Sequence, residues 1–323
     1  MRAVCVIGLG LIGGSVLRAA SAAGRPAWGT TTSADDAEAA RADGFDVVEV
    51  DAALRRAAAE DAQVVVATPL TAVRGVLREV AEHAPQAWLT DVVSVKDPVA
   101  AEVRSLLPQA RYAGGHPMAG SSSSGWGASS GHLFSGAAWA VTLEDGTALD
   151  AWREAAQLAL DCGAQVVPTT AGAHDSAVAR ISHLPHVFAA ILAAVGADGG
   201  PLALSLAAGS FRDGTRVAGS PPDLVRAMTE GNRNALLDAV DDALGRLGAA
   251  RGSLASTGGL KSTVDEGYDA RRYLEDLATC DRTTETVRLD AAAPQRLREL
   301  GELGGRVVAL TDDTATVEVP TAA

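Results

Sequence analysis

Val4-Cys5-Val6-Ile7-Gly8-Leu9-Gly10-Leu11-Ile12-Gly13-Gly14-Ser15 carries the reading that decides the fold. A short β-branched apolar run leads directly into Gly-x-Gly-x-x-Gly, and an Ala/Leu-rich helical pattern follows. This spacing makes three separate demands on the backbone. Gly8 permits the tight turn, Gly10 lets the main chain approach a pyrophosphate, and Gly13 lets the helix pack close to the strand. The N–H groups that open the helix, from Leu11 and Ile12 onward, combine with the positive end of its dipole to suit a phosphate. A strand before the triplet and a helix after it identify a dinucleotide-binding turn rather than a plain structural one.

Composition narrows the class further. A length of 323 residues suits two domains. Hydrophobic residues make up 47% and aromatic ones 4%, so Ala, Val and Leu must fill the core. The net charge is −13 with no block of five or six Lys or Arg, which argues against nucleic acid or an anionic membrane as partner. An acidic protein that handles an acidic substrate must place Arg or Lys locally, because its overall field repels anions. Cys5, Cys162 and Cys280 are far apart and form no Cys-x-x-Cys, which reads as a reduced cytoplasmic protein without a disulfide framework or structural zinc. Arg2 and the apolar run after it resemble a signal peptide, but that run is the glycine fingerprint. The apolar stretches 187–197 and 202–208 are too short to span a bilayer, so a soluble chain is expected.

From 1 to 168 short apolar runs alternate with helical stretches. Strands are expected at 3–7, 27–30, 47–48, 64–67, 88–90, 112–114, 138–141 and 165–167, with helices such as 12–23, 34–42, 71–82 and 149–160 between them. Near-continuous apolar strands separated by helices predict an α/β, doubly wound parallel sheet. From 169 to 282 the strand signal disappears, and helical patterns are punctuated by Gly199-Gly200-Pro201, Gly219-Ser220-Pro221-Pro222 and Gly258-Gly259. A helix beginning near Ala171 is expected to join the halves. Residues 283–323 return to strand, helix, strand and strand, either as a fragment of a ligand-sensing module or as a small packing extension.

Three further constellations could carry chemistry. Asp91-Val92-Val93-Ser94-Val95-Lys96 follows an expected strand, at the carboxyl edge of the sheet where ligands bind, although Ser94 is also a favoured helix N-cap. Gly114-Gly115-His116-Pro117-Met118-Ala119-Gly120 follows the next strand, so His116 is expected to face the same crevice as Ser94. Flanking glycines and a proline are scaffolding that a chance surface histidine lacks, and the serine-rich run 121–130 after it reads as a mobile loop. In the helical half, His183-Leu184-Pro185-His186 sets two imidazoles three apart, and Phe211-Arg212-Asp213-Gly214-Thr215-Arg216 sets two guanidiniums four apart, spacings that share a helix face. Arg212, Asp213 and Arg216 could equally form a solvated ion-pair patch or a subunit contact. No Glu or Cys at usable spacing joins the two histidines, so no metal site is read there.

Taken in order, these elements resemble the prephenate/arogenate dehydrogenase family. The matching residues are Gly8-Leu-Gly10-Leu-Ile-Gly13-Gly14-Ser15, Asp91-x-x-Ser94-Val-Lys96, His116-Pro117-Met118-Ala119-Gly120, Ser182-His183-Leu-Pro185-His186 and Phe211-Arg212-Asp213-x-Thr215-Arg216, spread over residues 1 to 240. The resemblance implies a Rossmann-type domain at 1–168, an all-helical dimerisation domain at 169–282, a homodimer, and oxidative decarboxylation of prephenate in tyrosine biosynthesis, with arogenate or an amino-substituted prephenate as the alternative. It implies His116 as the acceptor of the substrate hydroxyl, with Ser94 bonded to His116 or to that hydroxyl. Arg216 is implied as a carboxylate anchor, with His186, His183 and Arg212 around the substrate. Gly8, Gly10, Leu11, Ile12, Gly13, Thr31 and Thr68 are the expected cofactor contacts.

One position departs from the pattern. The second strand ends Trp28-Gly29-Thr30-Thr31-Thr32-Ser33, with Thr31 where an acid would hold ribose hydroxyls. The acid's repulsion of a 2′-phosphate is missing, yet no adjacent Arg awaits one, which leaves both NAD and NADP open with NAD ahead. A β-hydroxyacid dehydrogenase would need a Lys between 171 and 191, and there is none. A silent dinucleotide sensor would have no use for a general base beside Ser94.

Overall fold

The structure is a computed structural model and describes residues 1–121 and 123–321. In chain order its elements are β1 (Val4–Ile7), α1 (Leu11–Ala22), β2 (Ala27–Thr30), α2 (Ala34–Ala42), β3 (Asp46–Val47), α3 (Val50–Ala59), β4 (Gln63–Val66), α4 (Leu70–His83), β5 (Trp88–Asp91), α5 (Asp97–Leu106), β6 (Arg111–Tyr112), β7 (Gly115–Pro117), β8 (Ala138–Thr142), α6 (Leu149–Asp161) and β9 (Gln165–Thr169). Then follow α7 (Ala171–Val178), α8 (Leu184–Asp198), α9 (Gly200–Ser205), α10 (Gly209–Thr215), α11 (Pro222–Gly231), α12 (Arg233–Ser256), α13 (Lys261–Thr279), β10 (Arg282–Arg288), α14 (Ala293–Glu302), β11 (Arg306–Leu310) and β12 (Thr314–Pro320). Two compact units emerge: Met1–His174 with Arg282–Pro320, and Asp175–Asp281 with Thr321.

The first unit is built on a six-stranded sheet in the order β3-β2-β1-β4-β5-β6, parallel throughout. Every residue of β1 (VCVI) and β4 (QVVV) is buried, as expected for strands covered on both faces. On one face α3, α4 and α5 bury Leu54, Leu77 and Val103; Val73, Leu77 and Val80 of α4 recur at the four- and three-residue steps of a single helix stripe. On the other face lie α1, α6 and a second six-stranded sheet, in the order β10-β12-β11-β9-β8-β7. Here the expectation of one sheet through residue 168 is corrected. β7, β8 and β9 leave the parallel sheet, β7 pairs antiparallel with β8, and only β8–β9 stays parallel. α6 packs on β5 of one sheet and on β8 and β9 of the other, with Trp152 fully buried.

The C-terminal strands complete this second sheet. β11 pairs with β9 through Val307 and Val166, and β12 pairs with both β11 and β10. Val287, Leu297, Leu300, Val307 and Val317 join the same core as Val4 and Val6.

The second unit is helical. A π-helical turn, Ala179–His183, links α7 to α8, and the helical run from Ala171 to Asp198 is 28 residues long. By length and composition alone this run is long and apolar enough to cross a membrane, a test that the core helix of a soluble protein also passes. Much of the unit's apolar surface is open in one chain: Leu202 and Leu206 are each 73% exposed, and Leu237, Leu244, Leu247 and Leu254 of α12 are exposed as well.

Candidate active site

At the end of β1 the glycine turn takes the shape its spacing demands. Gly8 has φ +101°, and a Cβ on Gly13 would stand 1.9 Å from the Gly8 carbonyl oxygen and 2.7 Å from Ala67 Cβ. A Cβ on Gly10 would meet nothing within 4 Å, so the main chain there borders open space. α1 starts at Leu11 and Ile12 with no side-chain cap, which presents its first N–H groups to an anion. Thr68, just past β4, holds a buried hydroxyl with no hydrogen-bond partner among the described residues. Thr31 follows β2, and its Oγ1 accepts the Ser33 N–H at 3.3 Å. An open cradle, an uncapped helix start and an orphaned hydroxyl fit a dinucleotide.

The 121–130 run is less free than its serines suggest; Ser122 lies outside the described residues. Trp126 is 1% exposed, its backbone N–H donates to Asp36 Oδ1 at 2.7 Å, and its indole donates to Asp43 Oδ2 at 2.9 Å. The Arg18 guanidinium lies 4.1 Å from the Trp126 ring centroid and donates to Ser129 Oγ at 2.8 Å, while the Ser130 N–H donates to Ser15 Oγ at 2.9 Å. Residues 126–130 are thereby fastened to α1 and α2, which corrects the mobile-loop expectation for them.

His116 sits mid-strand in β7, opposite Ala140 of β8. The glycine before it is required by close approach: a Cβ on Gly115 would fall 2.6 Å from the Asp91 carbonyl and 2.9 Å from Trp139 Nε1. Behind the strand lies a buried polar knot. Asp91, at the end of β5, accepts from the Val93 N–H at 2.8 Å and from Tyr112 Oη at 2.7 Å, and it pairs with Lys96. Lys96, 0% exposed, also donates to the Gly115 carbonyl at 2.6 Å. The Asp91 and Lys96 of the sequence motif therefore clamp the residue beside His116. Ser94 is half-buried in the β5–α5 connection, and because α5 begins at Asp97 with Lys96 at its N-cap position, Ser94 does not cap it.

One partner of His116 escaped the sequence reading. His116 Nδ1 and His174 Nε2 are 2.8 Å apart, with ring centroids at 5.0 Å and planes at 73°. His174 is 4% exposed in α7. It lies in no motif; the one available signal was a histidine early in the helix expected to begin near Ala171.

Within the second unit, His183 and His186 do not share surroundings, despite their spacing. The π turn ends at His183, which is 1% exposed. The Asn232 amide donates to its Nδ1 at 3.2 Å and to the Asp175 carbonyl at 2.7 Å. His186 lies instead against Arg216 and the Val217 backbone, and its buried Nδ1 has no partner among the described residues. Burial pushes the His186 pKa below its ordinary value, the Arg216 charge adds to this, and a hydrogen bond with the Val217 backbone opposes both. Arg212 lies in α10, whereas Arg216 starts a 3₁₀ turn at 216–219. Neither makes an ion pair among the described residues.

Comparisons with known proteins converge. Residues 20–168 match the prephenate dehydrogenase nucleotide-binding domain, and residues 170–258 match the prephenate dehydrogenase dimerization domain. The prephenate dehydrogenase of Bacillus subtilis is 34% identical over 249 residues, which are 74% of this chain and 66% of that one. This chain spans 56–66% of the length of the curated relatives it matches. A crystal structure from Corynebacterium glutamicum, described as a candidate prephenate dehydrogenase, has a TM-score of 0.88 at 46% identity and covers 94% of this chain and 98% of its own. Synechocystis arogenate dehydrogenase has a TM-score of 0.73 at 27% identity, with coverages of 84% and 99%.

Proposed function

Because the chain belongs to the prephenate dehydrogenase family, we propose that it oxidatively decarboxylates prephenate to 4-hydroxyphenylpyruvate in tyrosine biosynthesis, with NAD or NADP as the oxidant. The observation that carries this reading is His116, gripped on one ring nitrogen by His174 in the unit that bears the dinucleotide turn. Bound nicotinamide dinucleotide supplies the hydride acceptor. Gly8, Gly10, Gly13 and the N–H groups of Leu11 and Ile12 would hold its pyrophosphate, with Thr31 and Thr68 as further polar contacts.

Prephenate carries a hydroxyl and a hydrogen on C4, a ring carboxylate on C1 and a second carboxylate on its side chain. As hydride departs from C4, the C1 carboxylate leaves as carbon dioxide, and the electron pair of the broken C–C bond restores the aromatic ring. Electron demand peaks at the C4–O unit, so a neutral acceptor at the hydroxyl stabilises the transition state. His116 is that acceptor, a role worth about 10²–10⁴ in rate. Ser94 orders the same hydroxyl. Arg216 holds a substrate carboxylate in a charge-assisted pair, as an acidic protein facing a dianion requires. His186, uncharged beside Arg216, lines the substrate's side chain, with His183 and Arg212 supporting that region.

We also read the chain as a homodimer. Leu237, Leu244, Leu247 and Leu254 recur at steps of seven, three and seven along α12, the period of a helix–helix seam, and all are exposed in one chain. Free thiols throughout fit a reducing compartment such as the cytoplasm.

Purified protein offered prephenate or arogenate, each with NAD or NADP, tests the proposal through the absorbance of reduced nucleotide. Turnover of prephenate is expected. Preference for arogenate, the activity named for the Synechocystis structure, would replace the substrate but keep the ring chemistry. No turnover in any of the four mixtures refutes the proposal.

A further inference from the structure

Two imidazoles in hydrogen-bond contact share one hydrogen, and its placement has opposite consequences for chemistry. If His116 Nδ1–H donates to His174 Nε2, the Nε2 of His116 carries a lone pair. If His174 Nε2–H donates to His116 Nδ1, the Nε2 of His116 carries the hydrogen and can only donate. A hydroxyl oxygen that becomes electron-poor needs the first arrangement.

We propose that His174 is a positioning residue: it accepts the Nδ1–H of His116 and so fixes the tautomer and ring orientation that leave Nε2 an acceptor. This rests on the reading of His116 as the group that meets the reacting hydroxyl. The 2.8 Å separation gives a full-strength contact between the two nitrogens. Both rings are mounted on braced backbone. The start of α7 is capped twice, by Glu144 Oε1 accepting the Ala171 N–H at 2.6 Å and by Thr170 Oγ1 accepting the Ala173 N–H at 3.1 Å. β7 is clamped through Gly115 by Lys96 and through its ladder with β8. His174 is almost fully buried, so water competes poorly for the same nitrogen.

The test has one arm that needs no turnover. The chain has six histidines, few enough for a long-range ¹H–¹⁵N correlation spectrum of ¹⁵N-histidine-labelled protein, with His116 assigned by its loss in His116→Asn. Neutral His116 is expected as the Nδ1–H tautomer; an Nε2–H tautomer overturns the proposal, whatever the substrate proves to be. The second arm compares His174→Leu, which removes the acceptor, with His174→Gln, whose amide oxygen can reach the place of Nε2. Loss of tautomer control under a carboxylate partner costs up to about 10⁴ in kcat; we expect His174→Leu to lower kcat by about 10–100-fold while the Kd for NAD stays unchanged. His174→Gln is expected to recover most of that loss. Equal kcat in wild type and His174→Leu, or a Gln variant no better than Leu, overturns the proposal. Wild-type protein inactive on all four substrate mixtures would instead strike the proposed reaction and leave the tautomer measurement standing.

Discussion

Replacing Lys96 by Met is the sharpest perturbation of the frame that holds His116. In the wild type the ammonium is wholly buried and satisfies both the Asp91 carboxylate and the Gly115 carbonyl. Met fills similar volume but leaves a buried carboxylate supported, among the described residues, by the Val93 N–H and Tyr112, and takes a donor from the Gly115 carbonyl. Removing one partner of a buried ion pair costs about 3–5 kcal/mol, because the surviving charge remains out of water. For a domain of this size each kcal/mol lowers Tm by about 2–4 °C, so Lys96→Met should melt roughly 6–20 °C early by circular dichroism. Adding Asp91→Asn removes the stranded charge while keeping an acceptor for Val93, and the double variant should regain at least half of the loss. The Gly115 peptide also loses its grip on the neighbouring histidine, so kcat should fall in both variants. A Lys96→Met melt within 2 °C of wild type would refute the reasoning, since it would mean that the pair is neither dry nor structurally required.

Replacing Arg216 by Ala should raise KM for the substrate by about 10–150-fold, the equivalent of about 1.5–3 kcal/mol for a lost hydrogen bond to a charged group; initial-rate kinetics with an unchanged KM would move the carboxylate anchor elsewhere. Burial pushes the thiols of Cys5 and Cys162 up to about 12, so a thiol-specific dye should label only the partly exposed Cys280 quickly in native protein and all three cysteines after denaturation. His186 has a folded pKa below its unfolded one, so as pH drops below about 6.5 the unfolded chain takes up the proton first. Stability is expected to fall through that window and to level off below the folded pKa. Urea midpoints between pH 7.5 and 5.5 should therefore decline less steeply in His186→Gln than in wild type, and identical slopes would contradict the assignment.

What the sequence made legible follows from how local each signal is. The dinucleotide turn was readable because Gly8, at φ +101°, and Gly13, packed on the Gly8 carbonyl, answer demands set within a few residues, and the parallel sheet because β1 is a solid run of buried apolar residues and β4 adds three buried valines after Gln63. His116 stood out because Gly115 marks a place where two backbones nearly touch. Its partner did not, because the contact between His116 and His174 joins residues 58 apart, and no short-range pattern records it. His183 and His186 look like one pair in any α-helical projection. In the fold His183 meets Asn232 whereas His186 lies against Arg216, partners that come from distant parts of the sequence. Serine-rich spacing suggested mobility at 126–130, yet one tryptophan among the serines was enough to anchor the segment. Lys96 read as part of a ligand-edge motif, although burial gives it a structural task.

We read the C-terminal segment, left open between a sensing fragment and a packing extension, from where its side chains go. β11 is hydrogen-bonded to β9, so the sheet runs unbroken from β10 to β7 and the strand carrying His116 forms its far edge. α14 packs on β9 so tightly that a Cβ on Gly301 would fall 2.0 Å from the Pro168 carbonyl oxygen, and Leu297 is completely buried in the core that holds Val4, Trp139 and Trp152. A module that folds alone would keep its apolar side chains for itself, whereas this one contributes them to the dinucleotide-binding unit. Leu297→Ala should accordingly cost about 2–5 kcal/mol and lower the single melting transition of that whole unit, including the part that binds the dinucleotide. Two transitions, with only the smaller one shifted by the substitution, would show that the segment folds on its own and that the shared sheet does not couple it to the strand of His116.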